Sequence, residues 1–235
     1  MREQTPELIV ALDTASLEQA RRCIEALSPA VGWFKVGLEL FTACGPAAVE
    51  AVRVAGGKVF LDLKLHDIPN TVAGAVRSAA RMRVDLLTLH LSGGDAMAQA
   101  AADAARVTPE APRLLGIFTL TSARPTATGG AWAKLVMETA HRAAVLGLGG
   151  LIVAVEDVPL VRSVAPPEFL TVSPGIRPVA APPDDQARTA TPAEAARAGS
   201  DFIVVGRPIT RSPDPLAAAQ GILREMRKEL AAAPA

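Results

Sequence analysis

The feature that most constrains this chain is a rhythm. Eight short apolar runs alternate with longer Ala-rich amphipathic stretches. The runs are Leu8–Leu12, Phe34–Gly37, Val59–Leu65, Leu86–His90, Leu114–Thr119, Gly150–Val153, Phe169–Val172 and Phe202–Val205. Each is rich in Val, Ile, Leu or Phe and lacks the polar alternation of a half-exposed strand, so each reads as a strand covered on both faces. The intervening stretches carry helix punctuation. Ser16-Leu-Glu-Gln19 and Thr191-Pro-Ala-Glu194 read as capping boxes. Asp214-Pro215 places a cap before a first-turn proline, and Gly147 and Gly199 fall where helices should stop. The 235 residues divided over eight such units give about 29 residues each, the size of a repeating βα module. The expected fold is therefore α/β: one single-domain (β/α)8 TIM barrel over residues 1–235. The runner-up is an open doubly wound sheet. Its Gly-x-Gly-x-x-Gly turn after the first strand is replaced here by Ala11-Leu-Asp-Thr-Ala15.

Composition removes several function classes. Basic and acidic side chains balance, 24 against 24, so no cationic excess is available to neutralise a nucleic-acid backbone. Six Phe, two Trp and no Tyr are too few for a base-stacking platform. No apolar run reaches the length of a membrane span, and the segment Met1–Glu7 has no apolar core of a secretory signal. Cys23 and Cys44 fit neither a disulfide framework nor a zinc or redox spacing. A reducing, cytoplasmic setting is the expectation.

Barrel chemistry belongs at the C-terminal ends of the strands, and polar residues gather there. They include Asp13 after the first run, Lys35 in the second, His90-Leu-Ser-Gly-Gly94 after the fourth, Thr119-Leu-Thr-Ser122 after the fifth, Ser173-Pro-Gly-Ile-Arg177 after the seventh and Gly206-Arg207-Pro208 after the eighth. The third run, Val59-Phe-Leu-Asp-Leu-Lys-Leu-His-Asp67, is the most informative. Period-two alternation puts Asp62 and Lys64 on one face and Leu61, Leu63 and Leu65 on the other. The leucines should face the helices, and the charged pair should point into the barrel mouth with Asp67 just beyond. Two carboxylates beside one ammonium should keep Lys64 protonated; a purely structural ion-pair network is the competing account.

Gly175, Arg177, Gly206 and Arg207 occupy the two loops with which barrels often hold phosphate, where glycine permits close backbone approach and arginine binds bidentately. The Pro-rich segment Pro174–Ala190 is long for a βα connection and reads either as a lid over the ligand or as a plain surface loop. His66 and His141 read as structural or surface residues. Three scattered histidines make no metal site, and Gly147-Leu-Gly-Gly150 reads as a helix end running into a strand.

These residues resemble a known family. Asp62-Leu-Lys-Leu-His-Asp-Ile-Pro-Asn-Thr71 is similar to the signature of bacterial orotidine 5′-phosphate decarboxylases. Ala11-Leu-Asp13, Phe34-Lys-Val-Gly37, Leu120-Thr-Ser122, Pro174-Gly-Ile-Arg177, Asp185-Gln186 and Val205-Gly-Arg-Pro-Ile-Thr210 match in order, from about Leu8 to the final helix. Small departures are Ser173 before Pro-Gly, Leu91-Ser92 before the double glycine, and a sixth strand, Ile152–Val155, without small polar residues.

The resemblance implies decarboxylation of orotidine 5′-monophosphate to UMP in pyrimidine biosynthesis, with no cofactor and no metal. It implies that Lys64 is the catalytic acid and that Asp62 flanks it. Asp67 and Thr71 would reach across a homodimer interface into the neighbouring site. Asp13 and Lys35 would hold the ribose region, Thr121 and Ser122 the nucleotide, and Gln186, Gly206 and Arg207 the phosphate, with Arg177 in the closing loop. The alternatives are a Mg-dependent sugar-phosphate decarboxylase or aldolase of the same barrel group, and a non-catalytic phosphate-binding barrel.

Overall fold

The computed structural model describes residues 5–118, 129–178 and 188–232. Eight parallel strands close on themselves in sequence order. They are β1 (Glu7–Ala11), β2 (Trp33–Gly37), β3 (Lys58–Leu65), β4 (Leu86–His90), β5 (Arg113–Ile117), β6 (Gly150–Ile152), β7 (Leu170–Ser173) and β8 (Phe202–Val205). Closure is direct: Ile9 of β1 stands opposite Trp33 of β2 on one side and Val204 of β8 on the other. An open doubly wound sheet is therefore excluded.

Between the strands run α1 (Leu17–Leu27), α2 (Leu38–Cys44), α3 (Pro46–Val54), α4 (Pro69–Arg81), α5 (Asp95–Val107), α6 (Gly129–Val145), α7 (Val158–Val164) and α8 (Pro192–Ala198); α9 (Arg207–Thr210) and α10 (Pro215–Ala232) follow β8. Short 3-10 turns at Leu91–Gly93 and Val155–Asp157 follow β4 and β6. No helix among the described residues is long and apolar enough to cross a membrane.

The strands separate two cores of opposite parity. Leu8, Val10, Phe34, Val36, Val59, Leu61, Leu87, Leu89, Ile203 and Val205 face outward and join the helices. Ile9, Ala11, Trp33, Phe60, Leu86, Leu115, Val172, Phe202 and Val204 face inward and fill the barrel. Both faces of each strand are thus covered, which is why the runs are apolar throughout. Trp33 and Phe202 meet edge to face, 4.9 Å between centroids, and plug the N-terminal end. The inward positions are apolar through the middle of the barrel and polar at its two rims, at Glu7, Lys58 and Arg113 on the N-terminal side and at Lys35, Asp62 and Thr88 towards the C-terminal end.

Local signals act as the sequence implies, with one correction. Thr191 and Glu194 form a reciprocal capping box, Asp214 Oδ1 accepts from the Ala217 N–H, and Gly199 ends α8 in the left-handed conformation at φ +82°. The first box is only half formed. Ser16 Oγ accepts from the Gln19 N–H, but Gln19 Oε1 accepts from the Thr14 hydroxyl. That same hydroxyl oxygen takes the Ser16 N–H, so the partner Gln19 should have served is already supplied.

Candidate active site

The site is built from three neighbouring strands whose inward parity continues into charge. Asp13 lies two residues beyond β1, in phase with Ile9 and Ala11. Lys35 follows Trp33 inward on β2, and Asp62 follows Phe60 on β3. Their side chains form a row of alternating sign. Asp13 Oδ1 lies 3.1 Å from Lys35 Nζ. Lys35 Nζ lies 4.0 Å from Asp62 Oδ2, which in turn lies 3.7 Å from Lys64 Nζ. Lys35 and Asp62 are largely buried, with side-chain exposures of 14% and 13%. Burial of that degree demands partners, and the row supplies them. Glycine keeps the row open: a Cβ at Gly37 would stand 2.8 Å from Lys35 Nζ, and one at Gly206 3.1 Å from Asp13 Oδ2.

Lys64 reaches the row through an irregularity that simple alternation does not foresee. Leu61 pairs with Leu87, yet Leu65 pairs with Leu89, so β3 spends four residues where β4 spends two. Within this bulge Lys64 sits at φ +52°, a left-handed conformation that costs a non-glycine residue of order 1–2 kcal/mol. Thr88, fully buried on β4, compensates. Its hydroxyl oxygen accepts the Lys64 N–H at 2.9 Å and its proton goes to Asp62 Oδ1 at 2.8 Å. One threonine therefore fixes the Lys64 backbone and orients the carboxylate beside its ammonium. Sequence reasoning missed Thr88; the signal was a lone hydroxyl at inward parity inside the apolar run Leu86-Leu-Thr-Leu-His90.

The opposite wall comes from the last two units. Pro174–Arg177 after β7 and Gly206–Pro208 after β8 line, with Asp13, Lys35, Asp62 and Lys64, a cavity of about 210 Å³. Gly175 adopts φ +76°, and an isolated bridge between Ile176 and Ala190 braces the loop base. Among the described residues the ionisable side chains of the lining are four cations, Lys35, Lys64, Arg177 and Arg207, against two carboxylates, Asp13 and Asp62. The cavity thus carries an excess of positive charge in a chain that is neutral overall, and it suits a polyanionic ligand.

The structure brings Asp13, Lys35, Asp62, Lys64, Arg177, Gly206 and Arg207 together at one mouth. Asp67 and Thr71 are not brought there. Both are exposed on the chain's own surface, and Asp67 Oδ1 accepts from the Ile68 N–H at the start of α4. The expectation of two carboxylates beside Lys64 is met within one chain by Asp62, while Asp67 is engaged at the start of α4. Thr121, Ser122 and Gln186 lie outside the described residues.

Sequence and fold comparisons agree on the lineage. The model of the orotidine 5′-phosphate decarboxylase / HUMPS family matches residues 6–222. This chain belongs to that family. It is 46% identical to the orotidine 5′-phosphate decarboxylase of Moorella thermoacetica over 94% of this chain and 92% of that one. It is 44% identical to the one from Trichlorobacter lovleyi over 95% and 96%. The crystal structure of the Lactobacillus acidophilus orotidine 5′-phosphate decarboxylase superposes with a TM-score of 0.80 at 35% identity, covering 94% of this chain and 99% of that one. Within the decarboxylase / HUMPS family framework, the charged row occupies the strand ends where barrel chemistry is expected.

Proposed function

We propose that this protein decarboxylates orotidine 5′-monophosphate to UMP and CO2, and that Lys64 is its general acid. The observation that carries the reading is the juxtaposition, across one cavity, of the Asp13–Lys35–Asp62–Lys64 row and the Arg177–Arg207 wall. An anionic phosphate fits the arginine side and an anionic reacting group the lysine side, at opposite ends of one small molecule. The family and the named relatives support the same substrate.

The chemistry follows from the charges. The bond from C6 of the pyrimidine to its carboxylate breaks, CO2 leaves, and the electron pair stays on C6 in an orbital outside the π system. The Lys64 ammonium stands where that charge develops, stabilises it electrostatically and transfers one N–H proton to C6. Water then restores the ammonium. Asp62, fixed by the Thr88 hydroxyl, holds Lys64 in place and stands near the position of the substrate carboxylate, which raises the ground state relative to the neutral product. Phosphate bound by Arg177, Arg207 and the Gly206 backbone supplies binding energy remote from the reacting carbon. No step in this reading passes through a cofactor or a metal. Thr121 and Ser122 are proposed to contact the nucleotide, Ser122 at the pyrimidine edge, and Gln186 the phosphate.

The protein is proposed to act as a cytoplasmic homodimer, with Asp67 and Thr71 of each subunit entering the neighbour's site. Ile68, 66% exposed between them, gives that surface an apolar anchor.

The test is ultraviolet-monitored turnover of orotidine 5′-monophosphate in EDTA, with Lys64→Ala in parallel. Turnover by the wild type and none by the variant is the expected result. No wild-type turnover with or without Mg²⁺ would overturn the assignment and direct the search to sugar phosphates; turnover restored only by Mg²⁺ would overturn the metal-independent mechanism.

A further inference from the structure

A buried ionic cluster stands behind the phosphate wall, and the reaction as derived does not use it. Arg188, on the returning limb of the β7–α8 connection, is 10% exposed and ion-paired with Asp157, 4% exposed, and with Glu156 on the surface. Its guanidinium carbon lies 5.3 Å from the centre of the Trp132 ring. Trp132 Nε1 donates to the other oxygen of Asp157 at 2.9 Å, and the indole packs on Phe118, 5.6 Å between centroids. Three connections on the C-terminal side of the barrel thus meet at one carboxylate: Phe118 directly follows β5 and Trp132 lies in the first turn of α6, Asp157 ends the turn after β6, and Arg188 belongs to the segment after β7.

Two residues beyond Arg188 the chain braces the cavity wall. The Ala190 carbonyl accepts the Arg177 N–H at 2.8 Å, and the Ala190 N–H donates to the Gly175 carbonyl at 3.2 Å. Gly175, Ile176 and Arg177 line the cavity; Arg188 does not.

The geometry points to Arg188 as a positioning residue: clamped by Asp157 and Trp132, it fixes the Ala190 brace and through it the Gly175–Arg177 wall, and so sets affinity for the phosphate end of the ligand without touching it. A guanidinium suits this task better than an ammonium, because it pairs with a carboxylate and stacks on an indole at once. Breaking a buried pair by removing one partner leaves an uncompensated charge, so a pair that served only stability would be expected to reveal itself in melting temperature alone. A clamp that positions the wall must also reveal itself in binding. The inference rests on the nucleotide reading above only for which molecule owns the phosphate.

The experiment compares wild type with Arg188→Gln and with the double variant Asp157→Asn/Arg188→Gln, which removes both charges together and remains decisive if the single variant does not fold. Calorimetry measures affinity for inorganic phosphate, UMP and uridine, and kinetics measure KM and kcat. The expected result is phosphate and UMP affinity weaker by roughly tenfold, uridine affinity unchanged, KM raised, and kcat at saturation within about twofold of wild type. Phosphate affinity equal to wild type in a folded variant of lowered melting temperature overturns the proposal, as does a fall in kcat with KM unchanged. A wild type that binds phosphate but not UMP overturns the nucleotide reading instead, and the phosphate comparison still decides the clamp.

Discussion

The two ends of this barrel are both rich in charge, and they handle it in opposite ways. At the N-terminal end the half-buried carboxylates Asp201 and Asp85 are met by donors of the fold. Asp201 pairs with Arg162 and accepts the Thr171 N–H at 2.7 Å. The same arginine donates to the carbonyls of Phe169 and Gly199 and to the Thr171 hydroxyl. Asp85 accepts the Val59 N–H at 2.7 Å, Glu7 accepts from Trp33 Nε1, and Lys58 stacks over the Trp33 ring. At the C-terminal end two ammonium groups share Asp62, and two arginines complete a cationic surplus. The N-terminal depression is the larger, about 950 Å³ against about 210 Å³ at the mouth. Cavity size therefore does not mark the site. What marks it is the convergence of Lys35, Lys64, Arg177 and Arg207 on one lining, a clustering of cations that draws an anionic ligand.

The comparison breaks most sharply at Lys64. Lys64→Ala is expected to lower turnover of orotidine 5′-monophosphate by on the order of 10³-fold or more while leaving the melting temperature nearly unchanged, since the side chain is 36% exposed and surface-type pairing contributes little. Steady-state kinetics and a thermal melt check both halves. At the other end the signs reverse. Asp201→Ala strands the Arg162 guanidinium and should cost about 3 kcal/mol of stability, read by denaturant unfolding, with kcat of the folded fraction unchanged. A marked loss of kcat there would show that the ends are not independent.

Thr88 is where the two logics meet, and it also marks how far the sequence could be read. The strands at Leu86–His90 and Phe202–Val205 follow from their apolar runs without adjustment. Three strands begin one residue earlier than the runs, at Glu7, Lys58 and Arg113, because the open N-terminal rim solvates a polar first residue that hydropathy counts as loop. Asp62 and Lys64 were legible as a pair since period two is a local property. The bulge that turns Lys64 to φ +52° was not, because it depends on a hydroxyl 24 residues away. The Asp157–Arg188 contact, 31 residues apart, left no local pattern for the same reason. Thr88→Val keeps the shape and deletes both bonds. It leaves the Lys64 N–H buried without its partner, so about 1–3 kcal/mol of stability should be lost together with roughly a tenfold fall in kcat, whereas a purely structural threonine would lower stability alone.

The smallest expected effect tests how far the cationic character of the mouth extends. His90 ends β4 with its ring 5.9 Å from that of His66. Burial first, then His66 and the Lys64 ammonium, hold its pKa below the ordinary 6.5, while Asp62 pulls the other way. As pH falls through 6.5 the unfolded chain takes up this proton before the folded one does. The unfolded state then binds more protons, so stability falls as pH falls across the window down to the folded pKa and is fully present above 6.5. His90→Gln removes that titration. Its melting temperature, measured against wild type from pH 8 to pH 5, should track wild type at the alkaline end and decline less steeply below 6.5. Repeating the series in the Lys64→Ala background sharpens the point. If Lys64 helps hold the proton off His90, the difference between the two slopes shrinks when the ammonium is gone; if it does not shrink, burial and His66 account for the depression, and the influence of the mouth stops short of β4.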